Sequence, residues 1–82
     1  MKFSVDDILK VIESEDLLLE VDLKTLNPEE LLTSQGVDSL DLASILFGIE
    51  NYYGVKIDNE TVAAGEWTTI NKILLNMEKI IK

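Results

Sequence analysis

Apolar positions recur at helical spacing through most of this chain. Ile8, Val11 and Ile12 sit three and four residues apart with Asp6, Lys10 and Glu13 outside them, which predicts a first helix from about residue 5 to near Asp16. Ser4 reads as its N-cap with Asp7 three residues on, and Phe3 and Ile8 are placed for a hydrophobic staple. Leu17, Leu18 and Leu19 either prolong this helix or fold back as core-filling loop. Residues 20–37 make a long connection, and a long loop in a compact domain needs footholds. Leu23, Leu26, Leu31 and Leu32 supply them. Within it, Asn27-Pro28-Glu29-Glu30 reads as a short helical turn, with Asn as cap and Pro at the first position.

The longest apolar run follows. Leu42, Ile45, Leu46, Ile49 and Tyr53 share one face of a helix running from Ser39 to about Tyr53, with Gly54 as its C-cap. Leu40, Ala43 and Phe47 form a second apolar stripe on the same helix. An 82-residue domain has little core in which to bury a helix on every side, so the second stripe reads as a docking surface. Val55-Lys56-Ile57 is a short extended link, and Asp58 caps a brief third helix through Ala64, stopped by Gly65. Thr68 or Thr69 caps the last helix. Its apolar face is Ile70, Ile73, Leu74, Met77 and Ile80 or Ile81, with Lys79 and Lys82 at the negative end of its dipole. Trp67, at the junction, plugs the core. The expected fold is all-α, a small bundle of three main helices plus one short helix. No repeat or second domain is visible, so residues 1–82 read as a single domain.

Composition narrows the function classes. With 46% hydrophobic residues the chain is no disordered tail. Cysteine is absent, which removes disulfides and any thiol of the chain's own. Histidine is absent too, and with it the usual general base and the commonest metal ligand. A domain this small has little room for a substrate cleft, so the chain is not expected to be an enzyme. The acids do not fit a calcium loop, because neither Asp38 nor Asp58 begins the required alternation of oxygen ligands around a central glycine. Net charge is −9, with seven lysines and no arginine, which makes nucleic acid a poor partner. The charge is uneven: residues 1–41 hold eleven acids and three lysines, and residues 42–82 hold five acids and four lysines. The acidic half steers towards basic surfaces on other proteins. Met1-Lys2-Phe3-Ser4 leads straight into Asp6 and Asp7 with no apolar signal region. A cytoplasmic monomer without membrane insertion is expected.

The candidate chemistry lies at Gly36-Val37-Asp38-Ser39-Leu40. Asp38 is a good N-cap, because its carboxylate can accept free backbone N–H groups of the helix that follows. Asp41 lies on the favourable side of that helix dipole. Ser39, as the first helical residue, would hold its hydroxyl at the positive end of the helix, a good place for a phosphate. Gly36 supplies the free backbone that lets the chain turn in.

These five residues resemble the attachment site of acyl carrier proteins, whose pattern is glycine, an apolar residue, Asp, Ser and Leu. The resemblance covers nearly the whole chain, since three main helices, a short third one and a long first loop are also what that family shows. It implies that Ser39 carries 4′-phosphopantetheine, transferred from coenzyme A by a phosphopantetheinyl transferase, with Asp38 and Gly36 shaping the site. The arm's thiol would take acyl groups as thioesters from an acyl- or aminoacyl-activating enzyme and pass them to acyltransferases or synthases. Leu40, Asp41, Ala43, Phe47 and Glu50 would form the docking surface for basic patches on these partners.

Ser44 and Asn51 stand where carriers of general fatty-acid synthesis tend to have Glu, and Phe47 and Gly48 are unusual there. A different set of partners is implied. The stretch from Glu66 to Ile73, EWTTINKI, is similar to the corresponding stretch of D-alanyl carrier proteins, which serve cell-wall teichoic acid modification. A D-alanyl or aminoacyl carrier is therefore an alternative. A helical adaptor with no prosthetic group is a third reading, in which Asp38 and Ser39 merely start a helix.

Overall fold

A computed structural model describes residues 2–81. Four α-helices make up the regular structure: α1, Val5–Ser14; α2, Ser39–Tyr53; α3, Asn59–Ala63; and α4, Ile70–Ile80. Two 3-10 turns, Leu23–Thr25 and Leu32–Gln35, interrupt the long connection between α1 and α2. Among the described residues there is no strand. The all-α bundle expected from apolar spacing is the observed fold.

The core draws on every major segment. Ile8 and Val11 of α1, Ile45 and Ile49 of α2, and Ile73 and Met77 of α4 have almost no solvent exposure, and Leu23, Leu32 and Trp67 join them from the loops. Such residues at three- and four-residue spacing place one stripe of each long helix inward. Phe3 lies against the C-terminal end of α2, edge-on to Tyr53 with ring centroids 5.7 Å apart. Burial, with the nearby Asp7 and Tyr52, raises the pKa of Tyr53 above its ordinary value.

Helix ends follow local chemistry. Asp7 accepts the Ser4 N–H at 2.8 Å and ties down the start of α1. α1 stops at Ser14, two residues short of the expected end. Asp16 turns left-handed there (φ 53°), with Leu17 N–H returning to the Ile12 carbonyl at 2.9 Å and Asp16 N–H to Glu13 at 3.3 Å. This is the Schellman geometry with Asp in the position glycine usually takes. The three leucines after it therefore leave the helix: Leu17 and Leu19 are half-buried, while Leu18 is 93% exposed. Thr69, not Thr68, caps α4, accepting the Lys72 N–H at 3.0 Å. Lys79 lies in the last turn of α4 as expected, and Lys82 lies outside the described residues.

The long connection is pinned rather than loose. Leu23 and Leu32 are its buried anchors and Leu26 is half-buried, whereas Leu31, expected as an anchor, is about half exposed. Asn27 to Glu30 form one hydrogen-bonded turn, with the Asn27 side chain accepting the Glu29 N–H at 3.0 Å. The 3-10 turns lie on either side of it, a difference from the expected helical turn. Gln35 holds the two ends of this stretch together, accepting the Asn27 N–H at 2.7 Å and donating to the Asn27 carbonyl at 2.9 Å. Backbone bonds from Leu32 N–H to the Thr68 carbonyl (2.9 Å) and from Asn71 N–H to the Pro28 carbonyl (3.0 Å) then fix the loop to the start of α4.

Gly48 sits in the interior of α2, where glycine costs about 1 kcal/mol of helix propensity against alanine. A Cβ there would lie 2.9 Å from Val11 Cγ1 and 3.3 Å from Leu17 Cδ1, so the glycine is what lets α1 and its trailing loop press against α2. Gly48→Leu should therefore lower folding stability by at least about 1–3 kcal/mol through overpacking, read as a shifted urea midpoint. Ile45 and Phe47 should separate core from surface in the same measurement. Ile45→Ala should cost about 2–5 kcal/mol. Phe47→Ala, at a side chain 67% exposed, should stay within about 0.5 kcal/mol of the parent, the range of ordinary surface substitutions.

Candidate functional site

Two buried residues aim the approach to α2. Leu32 and Val37 both point into the core, and the Val37 N–H donates to the Leu32 carbonyl at 3.1 Å. Gly36 makes the turn between them with φ at 96°, a left-handed value that favours glycine, and a Cβ there would come within 3.2 Å of Val21 Cγ2. The chain thus reaches Asp38 with little freedom left. Asp38 is the N-cap of α2, its Oδ1 accepting the Asp41 N–H at 2.8 Å. Its carbonyl accepts the Leu42 N–H at 3.0 Å, the first bond of the helix.

Ser39 is the first residue of α2 and is exposed. That places it at the positive end of a 15-residue helix, where the first-turn amides have no partner within the helix. A phosphoryl group esterified there would meet solvent and backbone N–H rather than packed side chains. The residues present therefore fit a phosphate-linked arm. Asp38 and Asp41 add negative charge on either side of it.

The outer stripe of α2 is exposed as the apolar pattern suggested. Leu40 is 78% and Phe47 67% exposed, and Ala43 lies open between them. Two grooves flank the stripe, and Ala43 and Phe47 line both. One, of 330 Å³, lies between α2 and the segment after α1, with Glu15, Leu17, Leu40, Ser44 and Asn51 on its walls. The other, of 200 Å³, lies between α2 and α3, lined by Leu46, Glu50, Ile57 and Val62.

The structure brings Gly36, Asp38, Ser39, Leu40 and Asp41 together at one end of α2, and strings Ala43, Phe47 and Glu50 along the helix. Glu50 has a second task that the sequence did not disclose. Its Oε2 accepts the Ile57 N–H at 2.7 Å, tying α2 to the link before α3. Likewise Gly48 stood out in the sequence only as unusual against the pattern of fatty-acid carriers, and not as the position where a Cβ would meet Val11 and Leu17. Among the described residues no cluster of acids is placed to hold a metal ion, and no helix is long and apolar enough to cross a membrane.

Comparison with known proteins agrees with this geometry. The family described as the phosphopantetheine attachment site matches residues 6–74. Nodulation protein F of Rhizobium leguminosarum bv. viciae is 48% identical over 42 residues, which cover 51% of this chain and 44% of that protein. The acyl carrier protein AcpXL of Mesorhizobium japonicum is 32% identical over 69 residues, 83% of this chain and 66% of that one. The D-alanyl carrier protein of Streptococcus uberis is 25% identical over 71 residues, 87% of this chain and 90% of that one. The chain thus spans less than half of nodulation protein F and about two thirds of AcpXL. No solved structure gives a significant match. With the matched segment running from α1 into α4 and enclosing the whole start of α2, this chain belongs to the phosphopantetheine-attachment family of carrier proteins, which hold 4′-phosphopantetheine and are not themselves enzymes.

Proposed function

We propose that Ser39 is the residue that carries 4′-phosphopantetheine, and that the loaded chain holds acyl groups as thioesters and delivers them to enzymes of fatty-acid, lipid or related biosynthesis. The observation that carries this reading is the exposed Ser39 hydroxyl at the first position of α2, inside a segment matched as a phosphopantetheine attachment site. In the loading reaction the Ser39 oxygen forms a new ester bond to phosphorus. The bond from that phosphorus to the adenosine bisphosphate part of coenzyme A breaks, and the hydroxyl proton passes to the transferase. The chain has no histidine to accept it.

Bound in this way, the group supplies a thiol on a flexible arm. The chain has no cysteine to offer in its place. The remaining work of its residues is presentation. Asp38 keeps the start of α2 folded through its cap, so the hydroxyl stays at a fixed exit from the bundle. Asp38 and Asp41 draw basic surfaces to that end, which speeds encounter more than it tightens the complex. Leu40, Ala43 and Phe47 give the partner an apolar contact, and Glu50 lends one carboxylate oxygen beyond the one it spends on Ile57.

A second reading, a D-alanyl or aminoacyl carrier, is favoured by coverage. The streptococcal D-alanyl carriers align along about nine-tenths of their own length, 90% and 89%, whereas the nodulation protein F match is local. The two readings differ in the enzyme that charges the thiol. Incubation of the arm-bearing chain with a fatty-acyl activating enzyme, and separately with a D-alanine activating enzyme, decides between them by intact mass.

Intact mass also checks the site. Incubated with coenzyme A and a broad-specificity phosphopantetheinyl transferase, the parent should gain one phosphopantetheine and Ser39→Ala none. Modification at Ser34 or Ser44 instead would overturn the assignment. Asp38→Ala should lose about 0.5–2 kcal/mol of stability with its cap and be loaded more slowly than the parent. Asp38→Asn, which keeps the cap and drops the charge, separates the two contributions.

A further inference from the structure

The lysines among the described residues lie at unequal distances from Ser39. Ser39 begins α2, a helix about 22 Å long at its 15 residues. Lys56 follows Gly54 at the other end of that helix. Phe3 packs on Tyr53 at the same far end, which takes Lys2 there, and Lys24 is paired at 3.1 Å with Asp6 in the first turn of α1. Lys10 lies midway along α1, and Lys79 in the last turn of α4.

Lys72 is placed differently. Val37 N–H donates to the Leu32 carbonyl and Leu32 N–H to the Thr68 carbonyl, and Thr69 Oγ1 accepts the Lys72 N–H at 3.0 Å. This run of bonds joins the approach to Ser39 to the first turn of α4. The Lys72 side chain is exposed, and its Nζ donates to the Gly65 carbonyl at 3.3 Å. The amine thus lies on a groove of 210 Å³ with Ala64 and Leu75 on its walls. Glu66 lines the groove as well, but among the described residues the only ion pair is that of Lys24.

We propose that Lys72 is an acyl acceptor, whose amine takes the acyl group from a thioester held on the arm at Ser39. The ammonium first gives one proton to water. The nitrogen then bonds to the thioester carbonyl carbon, the carbon–sulfur bond breaks, and the sulfur leaves as a thiol with a second proton from the nitrogen. The products are an amide on Lys72 and an arm free to be loaded again. Holding both groups on one chain raises their effective concentration to about the millimolar range. The Gly65 carbonyl holds the amine through one N–H and leaves its lone pair open, while Ala64 and Leu75 give an acyl chain an apolar surface. A chain kept loaded without a partner therefore discharges itself and loses one positive charge from α4. This rests on the assignment of Ser39 above.

The test loads the full chain from butyryl-coenzyme A with a broad-specificity phosphopantetheinyl transferase and holds it in mildly alkaline buffer. Hydroxylamine then strips thioesters and spares amides, so intact mass and peptide mapping follow the acyl group that has moved. The parent should build up one hydroxylamine-resistant butyryl group, mapped to Lys72. Lys72→Arg keeps the positive charge without a nucleophilic amine, and should lower the rate at least about fivefold. Arm-free Ser39→Ala, mixed in equal micromolar amount with the loaded parent, should gain at most about a tenth of the amide found on the parent. Butyryl spread evenly over the lysines would overturn the proposal, as would equal labelling of Ser39→Ala or an unchanged rate in Lys72→Arg. Absence of any resistant butyryl would overturn it too. A parent that takes no arm strikes the Ser39 assignment and this proposal with it, and intact mass shows that before the incubation begins.

Discussion

The hydrogen-bonded attachment of the long first loop to the start of α4 is the constraint on which the rest of this molecule hangs. Residues 20–37 contain little regular structure, yet they deliver the chain to a single exit at Asp38. Leu32 is held twice, by a buried side chain and by its N–H on the Thr68 carbonyl. Its own carbonyl then accepts Val37, and the left-handed Gly36 sets the direction between them. Release of that one residue would free the approach to α2 and blur the position of the hydroxyl that follows. Loop order as well as helix packing thus sets where α2 begins.

Close approach of α1 and α2 is the second determinant. Gly48 trades helix propensity for contact with Val11 and Leu17, and the contact shapes the outer surface as well as the core. A side chain at that position would fill the groove from its floor. The same absence of a Cβ therefore sets both the packing and the relief of the helix face.

The helices and their caps were legible in the sequence because each rests on neighbours in the chain. Ser4 with Asp7, Asp38 with Asp41, and Thr69 with Lys72 are pairs three residues apart, and the apolar stripes of α1, α2 and α4 repeat within one turn. The place of Ser39 at the start of α2 was legible for the same reason, since it follows the capping Asp38. What was not legible depends on distant partners. Nothing near Gln35 signals that it binds Asn27, nothing near Glu50 signals Ile57, and Leu32 and Thr68 are far apart in the chain. The end of α1 was misjudged because an aspartate took the left-handed turn that a glycine would have announced. Leu31 was misjudged because a leucine-rich loop does not say which leucine faces inward.

Trp67 is the only tryptophan of the chain. It is buried where α3 meets α4, and its indole N–H donates to Thr61 Oγ1 at 2.9 Å. Tryptophan emission therefore originates from a single corner of the bundle, within the segment that joins the α3 wall of the smaller groove to α4. Any event that shifts α3 against Trp67 would strain that hydrogen bond and change the tryptophan fluorescence. The chain thus has a built-in optical probe of how α3 sits against the bundle, with no label to attach.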